Sequence, residues 1–202
     1  MRLAQICILF CTVFKLGCSS ETSNVDESAF INEFLRGWFA SELKEGAVLV
    51  IYDRISIDDF TRATSHSEFS ESLIADAIAR DVRLGEAARS LCDRNIDGGS
   101  IREMWKLDVG HVGFDEVLMS EVFLENSDKV DLGWDTFYKM FPNASGLITL
   151  SRPGFSEDGS IGIIYMGVSG GALAGHGRLY VVERRDGRWE DADWELGRSW
   201  QS

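Results

Sequence analysis

The apolar positions in the first part of the chain follow two different periods. Between Glu27 and Gly46 they recur every three or four residues, which predicts an amphipathic helix capped by Asp26 or Ser28 and ended at the glycine. Residues 47–52 are instead continuously apolar and rich in β-branched side chains. That run is typical of a strand buried on both faces.

The next part of the chain is predicted to be helical. Residues 72–95 keep a helical apolar spacing, with Gly85 as a candidate break. Residues 57–64 form a shorter candidate helix, and residues 95–99 are polar and glycine-rich, as in a loop.

Two further segments have different signals. Residues 117–124 fit either a strand or a helix, and the run Val122-Phe123-Leu124 favours the strand. Residues 133–141 place aromatic side chains at helical spacing, which predicts a short helix with Trp134, Phe137 and Phe141 facing the core. Pro142 stops that helix.

Residues 146–191 carry the signals of antiparallel strands. We predict strands over residues 147–151, 161–168, 178–184 and 188–191, with a tight hairpin turn at Asp186-Gly187. With helices first and a β-meander last, the chain predicts an α+β fold, in which N-terminal helices pack on a mostly antiparallel sheet. A single domain is expected over residues 28–202.

The first eighteen residues indicate where the protein is targeted and give no information on its fold. A short basic start precedes an apolar run over residues 3–14, which is too short to cross a bilayer as a helix. Leu16-Gly17-Cys18 follows and resembles the lipobox at which bacterial lipoproteins are cleaved and acylated. We therefore expect a signal peptide over residues 1–18, lipid such as palmitate on Cys18, and a flexible tether over residues 19–27.

The lipobox departs from the usual pattern at one position. Lys15 stands where an apolar residue, usually leucine, precedes the cleavage site. The alternative is cleavage at a small-x-small site such as Gly17-Cys18-Ser19, which would release a soluble periplasmic or secreted protein. A third alternative is an N-terminus that is not cleaved or is not a signal segment. In the first two cases the domain is exported, and the lipid-anchored case places it in the cell envelope.

The charge of the chain narrows its partners. The net charge is −13, and removing residues 1–18 takes away Arg2 and Lys15, which leaves −15. So large a negative charge argues against binding to nucleic acid, because nucleic-acid binding requires a cationic surface. It also disfavours adsorption to anionic lipids, so membrane contact is expected through the lipid anchor alone, and any other partner is an unknown protein or small molecule.

The aromatic helix is followed by motif residues in a distinctive order. They read Trp134-x2-Phe137-Tyr138-x2-Phe141-Pro142-x3-Gly146, then Ser151-Arg152-x-Gly154-Phe155, then Tyr165 and Leu173-x-Gly175-x-Gly177. This order resembles a family of uncharacterised bacterial exported proteins and lipoproteins over most of the mature chain. The resemblance implies a fold and an exported address but no activity. Members often carry two cysteines in the glycine-rich loop, where this chain has Gly170 and Ala174.

Two interpretations of these motif residues stay open. In the first, Arg152 forms an ion pair with a buried carboxylate, Phe155 packs in the core and the glycines adopt turn conformations. In the second, Arg152 binds an anionic group in a shallow pocket that is also lined by Trp134, Tyr138 and Tyr165.

Other motifs fail in their context. Gly167-Val168-Ser169-Gly170-Gly171 matches a nucleophile elbow, but glycines and a strand follow Ser169 where that motif requires a helix. The glycines of this segment are therefore expected to serve the backbone geometry of a loop, and Gly175 and Gly177 are expected to adopt positive φ. Asp93-x-Asn95-x-Asp97-Gly98 opens like a calcium loop but lacks the glutamate at the twelfth position. His66 and His111 share no zinc-ligand spacing.

These observations lead to two functional hypotheses. The preferred one is an exported, lipid-anchored envelope protein with a non-catalytic binding or structural role, with no metal or cofactor. The alternative is a secreted hydrolase that uses Ser169 or His176. Cys92, the cysteine left once residues 1–18 are removed, is expected to be a buried apolar thiol.

Overall fold

The protein is described by a computed structural model over residues 25–54, 66–96, 99–124, 130–196 and 199–201. Helices span Glu27–Trp38 (α1), Ala40–Lys44 (α2), His66–Arg80 (α3), Val82–Arg94 (α4), Ile101–Met104 (α5), Glu116–Met119 (α6) and Val130–Met140 (α7). Strands span Val48–Tyr52 (β1), His111–Phe114 (β2), Ala144–Leu150 (β3), Gly154–Phe155 (β4), Ile161–Gly171 (β5), Ala174–Arg185 (β6), Arg188–Asp191 (β7) and Trp200–Gln201 (β8). The helix predicted at residues 57–64 lies outside the described residues.

The strands form one mixed sheet, which confirms the α+β prediction. Its order is β2-β1-β3-β5-β6-β7, with β4 beside β5 and β8 beside β6. β1 pairs in parallel with β2 and β3, and the other pairs are antiparallel. The sheet is therefore mostly antiparallel, and its C-terminal strands β5, β6 and β7 form the expected meander.

Helices cover both faces of this sheet. Leu49 and Ile51 of β1 pack in the apolar cluster that contains α1, whereas Val50 points the other way, into the cluster around α7. Strand residues alternate between faces, so the continuous apolar run of β1 was correctly predicted to be buried on both sides. Helices α3 and α4 pack on β5 and β6 on the same face as α7.

Helix α1 begins at Glu27, the last residue of the predicted tether, and its N-cap Asp26 lies within the predicted tether. The Asp26 carboxylate caps the helix by accepting a hydrogen bond from the Ala29 backbone N–H at 3.2 Å. Val25 already packs against the core. The chain is therefore attached to the domain from residue 25, and the following apolar face of α1 is buried as its spacing predicts.

The break in the 72–95 helical region lies at Asp81, so the prediction of a break at Gly85 was wrong. Asp81 is the N-cap of α4, and its carboxylate accepts a hydrogen bond from the Arg83 backbone N–H at 2.8 Å. Gly85 lies inside α4, where a Cβ atom would come within 2.3 Å of Ile78 Cγ1 on α3. The glycine is needed because the two helices approach closely at this point.

The strand predicted at residues 117–124 is also wrong, because this segment is helical. Helix α6 begins after Asp115, whose carboxylate accepts a hydrogen bond from the Leu118 backbone N–H at 3.0 Å. One π-helical turn, Ser120–Leu124, continues it. The cap and the burial of Val122 against α7 outweigh the β-propensity of this run.

The C-terminal meander follows the sequence prediction closely. β7 has the predicted bounds, and Asp186 and Gly187 turn the hairpin with φ values of 50° and 82°, as the sequence predicts. Strands β5 and β6 are longer than predicted because their ladder continues through the glycine-rich segment as far as Gly171 and Ala174. None of the helices in the described ranges is long and apolar enough to cross a membrane.

The aromatic helix α7 supplies a test of the packing. Phe137 is 0% exposed, and its ring lies 5.3 Å from that of Trp134 and 5.3 Å from that of Phe141. We expect Phe137→Ala to lower the free energy of unfolding by about 3–5 kcal/mol, because it removes a buried ring and leaves a cavity. Chemical denaturation measures this change. Met140→Ala, on the exposed side of the same helix, is the control and should change little; equal effects would contradict the packing.

Candidate functional site

Two of the four predicted pocket residues lie together. Trp134 and Tyr138 are one turn apart on α7, with ring centroids 6.1 Å apart. The Tyr138 hydroxyl donates a hydrogen bond to the Gly170 carbonyl oxygen at 2.9 Å, and Trp134 packs against the Phe123 ring at 4.9 Å. These contacts attach α7 to the tip of the β5–β6 hairpin and to the preceding helical turn.

Tyr165 lies elsewhere, in the core between the sheet and helices α3 and α4. It is 0% exposed, and its hydroxyl oxygen accepts a hydrogen bond from Trp200 Nε1 at 3.1 Å. A Cβ atom on Gly177 would come within 2.7 Å of this hydroxyl oxygen. Neither Gly175 nor Gly177 adopts the positive φ that we expected. Close packing explains both glycines, since a Cβ atom on Gly175 would come within 2.9 Å of the Trp200 ring.

Arg152 forms an ion pair with a carboxylate of the protein, as the first interpretation proposed. Its guanidinium Nη2 lies 2.9 Å from Glu27 Oε1, and Arg94 donates to the same oxygen. Trp105 Nε1 donates to Glu27 Oε2 at 3.2 Å. Side-chain exposure is 19% for Glu27 and 28% for each arginine. We call these four residues the Glu27 cluster.

The charge of Glu27 is stabilised within the fold. Burial acts to raise the pKa of this carboxyl, but the hydrogen bond from Arg152 and the charge of Arg94 outweigh it, so the pKa is lowered from its ordinary value of 4.5. Arg94 also donates to the Pro153 carbonyl oxygen at 3.1 Å. The cluster thereby joins the start of α1, the end of α4 and the chain between β3 and β4.

The structure does not bring the four predicted pocket residues together. Trp134 and Tyr138 belong to the cluster around α7, and Tyr165 belongs to the cluster under α3 and α4. Arg152 is paired with a carboxylate of the protein itself. The anionic partner that its guanidinium binds is Glu27.

Ser169 and His176 point away from each other. In the β5–β6 ladder Val168 pairs with His176, and Ser169 pairs with Gly175. Paired residues share a face of the sheet and neighbours alternate, so the Ser169 and His176 side chains lie on opposite faces. A general base must lie within hydrogen-bond reach of the hydroxyl that it activates. The two residues do not form such a pair.

The start of the calcium-like motif has a structural role. The Asn95 side-chain amide donates to the carbonyl oxygens of Leu91 at 2.7 Å and Arg152 at 2.9 Å. Its oxygen accepts from the Arg152 backbone N–H at 2.8 Å. Asn95 therefore holds the β3–β4 connection against the end of α4. Asp97 and Gly98 lie outside the described residues.

Metal and thiol chemistry have little support in the described part of the chain. It contains no group of three or more His, Cys, Asp or Glu side chains that could hold a metal ion. Cys92 is buried and unbonded to another cysteine, as predicted, and burial raises the pKa of its thiol. A raised pKa keeps the thiol protonated, and the protonated form is a poor nucleophile.

A cleft opens where the parallel strands β1 and β2 end. Its volume is about 490 Å³, and it is lined by Asp53, Arg54, Gly99, Ser100, Asp115, Glu116 and Val117. Asp53 follows β1 directly and Asp115 follows β2. The carboxyl ends of parallel strands are the usual ligand-binding edge of open α/β sheets. We call this feature the strand-end cleft.

The floor of the cleft is held by Asp53. Its carboxylate accepts hydrogen bonds from the Ser100 hydroxyl at 3.1 Å and from the Arg102 backbone N–H at 3.0 Å. The Arg102 guanidinium lies 3.5 Å from Asp53 Oδ2 and 3.8 Å from Asp115 Oδ2. Asp53 is therefore engaged in the fold.

The charged side chains at the rim of the cleft, unlike Asp53 at its floor, are well exposed to solvent. Arg54 and Glu116 form an ion pair there, with side chains 64% and 63% exposed. An exposed pair of this kind contributes at most about 1 kcal/mol, so a ligand can separate it at little cost. The rim thus offers one cationic and one anionic group to solvent.

The sequence predicted that Arg152 pairs with a buried carboxylate, but it did not identify Glu27 as the partner, and it did not predict the strand-end cleft. Glu27 was placed in the tether because its neighbours are polar, and no local pattern shows that two distant arginines approach it. For the cleft a signal exists: Asp53-Arg54 directly follows a strand buried on both faces, and polar residues at such a strand end are candidates for a site. The segment after β2, which lines the other side of the cleft, was not recognised because residues 117–124 were predicted to form a strand.

Comparisons with known proteins give no relative from which to transfer a role. No family model, no curated protein and no solved structure matches this chain.

The Glu27 cluster predicts a pH-dependent contribution to stability. Glu27→Gln should lower the free energy of unfolding at pH 7 by about 2 kcal/mol, the size expected for hydrogen bonds to a charged group. Because folding lowers the pKa of this carboxyl, its contribution is present above pH 4.5 and is lost as the pH falls through the folded-state pKa. The difference between wild type and variant should therefore shrink below pH 4.5. Urea denaturation from pH 7 to pH 3 measures it.

The control for this experiment is Asp108→Asn. It breaks the exposed ion pair with Arg36, whose atoms are 2.8 Å apart and whose side chains are 55% and 60% exposed. We expect a change below about 1 kcal/mol. A Glu27→Gln deficit that stays constant down to pH 3 would contradict the ionic role of Glu27.

Proposed function

We propose that this chain is an exported envelope protein, anchored by lipid on Cys18, whose domain has a non-catalytic binding or structural role. The observation that carries the proposal is the apolar run of residues 3–14 followed by Leu16-Gly17-Cys18. That order is typical of a signal segment that ends at an acylated cysteine. The net charge of −15 on the remaining chain agrees with membrane contact through the anchor alone.

The non-catalytic part of the proposal is supported by the state of the reactive side chains. Ser169 and His176 leave the β5–β6 hairpin on opposite faces. Cys92 is buried with a raised pKa. The Glu27 carboxylate is neutralised by two arginines. Ser169 and His176 do not form the nucleophile–base pair of a hydrolase. Glu27 and Cys92 serve the fold.

Binding is best supported at the strand-end cleft. It lies at the carboxyl ends of parallel strands, it is open to solvent, and its rim carries the separable pair Arg54–Glu116. A small polar ligand with both an anionic and a cationic group complements such a rim. Nucleic acid does not, because the surrounding protein is strongly acidic.

The anchor is tested by metabolic labelling in a bacterial host with an alkyne analogue of palmitate. We expect the wild type to be labelled and to sediment with the membrane fraction, because Cys18 becomes the acylated N-terminus. Cys18→Ala should lose the label, whereas Cys92→Ala, which removes a buried thiol, should keep it. Equal labelling of Cys18→Ala and wild type would contradict lipidation at Cys18, and an unlabelled soluble wild type would favour plain export.

The absence of serine chemistry is tested with a fluorophosphonate probe, which reacts only with activated serines. We expect the purified domain to stay unmodified, because His176, the base that the hydrolase alternative requires, lies on the opposite face of the sheet from Ser169. Intact-protein mass spectrometry reads the result. Stoichiometric modification that disappears in Ser169→Ala, but persists in Ser145→Ala, would instead support the hydrolase alternative.

A further inference from the structure

The domain begins at the same edge of the sheet as the strand-end cleft. Glu27, the first residue of α1, is bonded to Arg152, which lies two residues beyond the end of β3. It is also bonded to Trp105, at the end of the single helical turn α5. The other end of α5 is attached to the cleft, since the Ile101 backbone N–H donates to the Asp53 carbonyl oxygen at 3.0 Å. The α1 start is therefore connected to the cleft through the Trp105 side chain and the single helical turn of α5, which is about 6 Å long.

The β5–β6 hairpin tip lies at the opposite edge. β3 runs antiparallel to β5, and Leu150 at the end of β3 pairs with Met166, whereas Leu147, nearer its start, pairs with Ser169. The tip beyond Ser169 therefore projects past the start of β3, away from the cleft. Leu173 at this tip is 82% exposed. At about 3.3 Å per residue, the five residue steps from Met166 to Gly171 and the turn beyond them separate the two levels by about 20 Å.

The chain between the anchor and the domain is short. Six residues, 19–24, separate Cys18 from Val25, which already packs against the core. Even fully extended, such a segment spans only about 20–25 Å. A domain of this length is about 40 Å across. The edge that carries the α1 start is therefore held within reach of the bilayer surface, while the far edge, about 20 Å away along the strands, reaches it only if nearly the full length of the tether runs back along the domain.

We propose that the strand-end cleft opens onto the membrane surface and that the β5–β6 hairpin tip faces away from it. This inference rests on the proposed anchor at Cys18 and gives the cleft a class of ligand. The groups within its reach are polar groups displayed at the membrane surface, and the rim pair Arg54–Glu116 matches groups that carry both signs of charge. The exposed Leu173 is left on the side that faces the rest of the envelope.

The test measures how close each edge comes to lipid headgroups. Single cysteines replace exposed residues at the cleft edge, Val117→Cys and Ile96→Cys, or at the far edge, Leu173→Cys and Glu45→Cys. The lipidated proteins are labelled with a fluorophore and placed in vesicles of phosphatidylcholine that contain lipids with a nitroxide on the headgroup. Acylated Cys18 and buried Cys92 are not expected to take the label, and the protein without an added cysteine verifies this.

We expect a larger loss of fluorescence at both cleft-edge positions than at both far-edge positions. A matched variant carries about 20 Gly/Ser residues inserted after Ser20, which gives a tether with an average span of about 28 Å and a much longer maximum. In this variant the difference between the two edges should decrease, because the orientation is imposed by the short tether.

The outcomes separate this inference from the proposal on which it rests. A wild type that does not associate with vesicles or lacks lipid overturns the anchor, and the orientation with it. A lipidated, vesicle-bound protein in which Leu173→Cys is quenched as strongly as Val117→Cys overturns the orientation alone. Stronger quenching at Val117→Cys that persists unchanged with the long tether also overturns it as stated, because the tether would then not be what orients the domain.

Discussion

The burial of one carboxylate sets the geometry of one edge of this protein. Glu27 is largely removed from water, and an ionised carboxylate in that position is costly unless charged donors surround it. Arg94 and Arg152, from the end of α4 and the chain after β3, supply those donors, and Trp105 adds a neutral one. Helix α1, which lies on one face of the sheet, is thereby tied to α4, which lies on the other.

Two buried asparagines extend the same arrangement with neutral hydrogen bonds. Asn95 bonds the backbone of Arg152 in both directions. Asn32 donates to the Lys106 carbonyl oxygen at 2.9 Å and accepts from the Asp108 backbone N–H at 2.8 Å. Each amide attaches a helix to an irregular segment and bonds backbone groups there that have no partner in a helix or strand ladder. The irregular connections at this edge are therefore held by specific polar contacts, while the regular elements are held by apolar burial.

This division has a consequence for function. Arg152 is used to neutralise Glu27, so it is not available to bind an external anion. The charges that remain accessible at the same edge are those of Arg54 and Glu116, whose mutual attraction is weak because both are well exposed. A role in binding is therefore better supported at the strand-end cleft than at the motif that contains the aromatic helix and Arg152, whose members build the fold.

Local sequence determined the elements whose signal is local. The buried strand β1, helix α1, the aromatic helix α7 and the hairpin at Asp186-Gly187 follow from apolar period and turn chemistry, because each depends on residues close together in the chain. The proposal that the protein is exported also rests on the sequence alone, on the run that ends at Cys18. The two wrong elements had competing local signals: Gly85 was taken for a break, and residues 117–124 for a strand.

Only the tertiary structure decided which distant residues meet. No pattern along the chain shows that Glu27 meets Arg152, that Asp53 meets Ser100, or that Gly85 is a contact point between two helices. The placement of Ser169 and His176 on opposite faces likewise depends on the register of β5 and β6. A slip of one residue in that register would move every side chain of the shifted strand to the other face. Partner choice across such separations is set by packing and by the cost of burying charge, and these act only once the chain has folded.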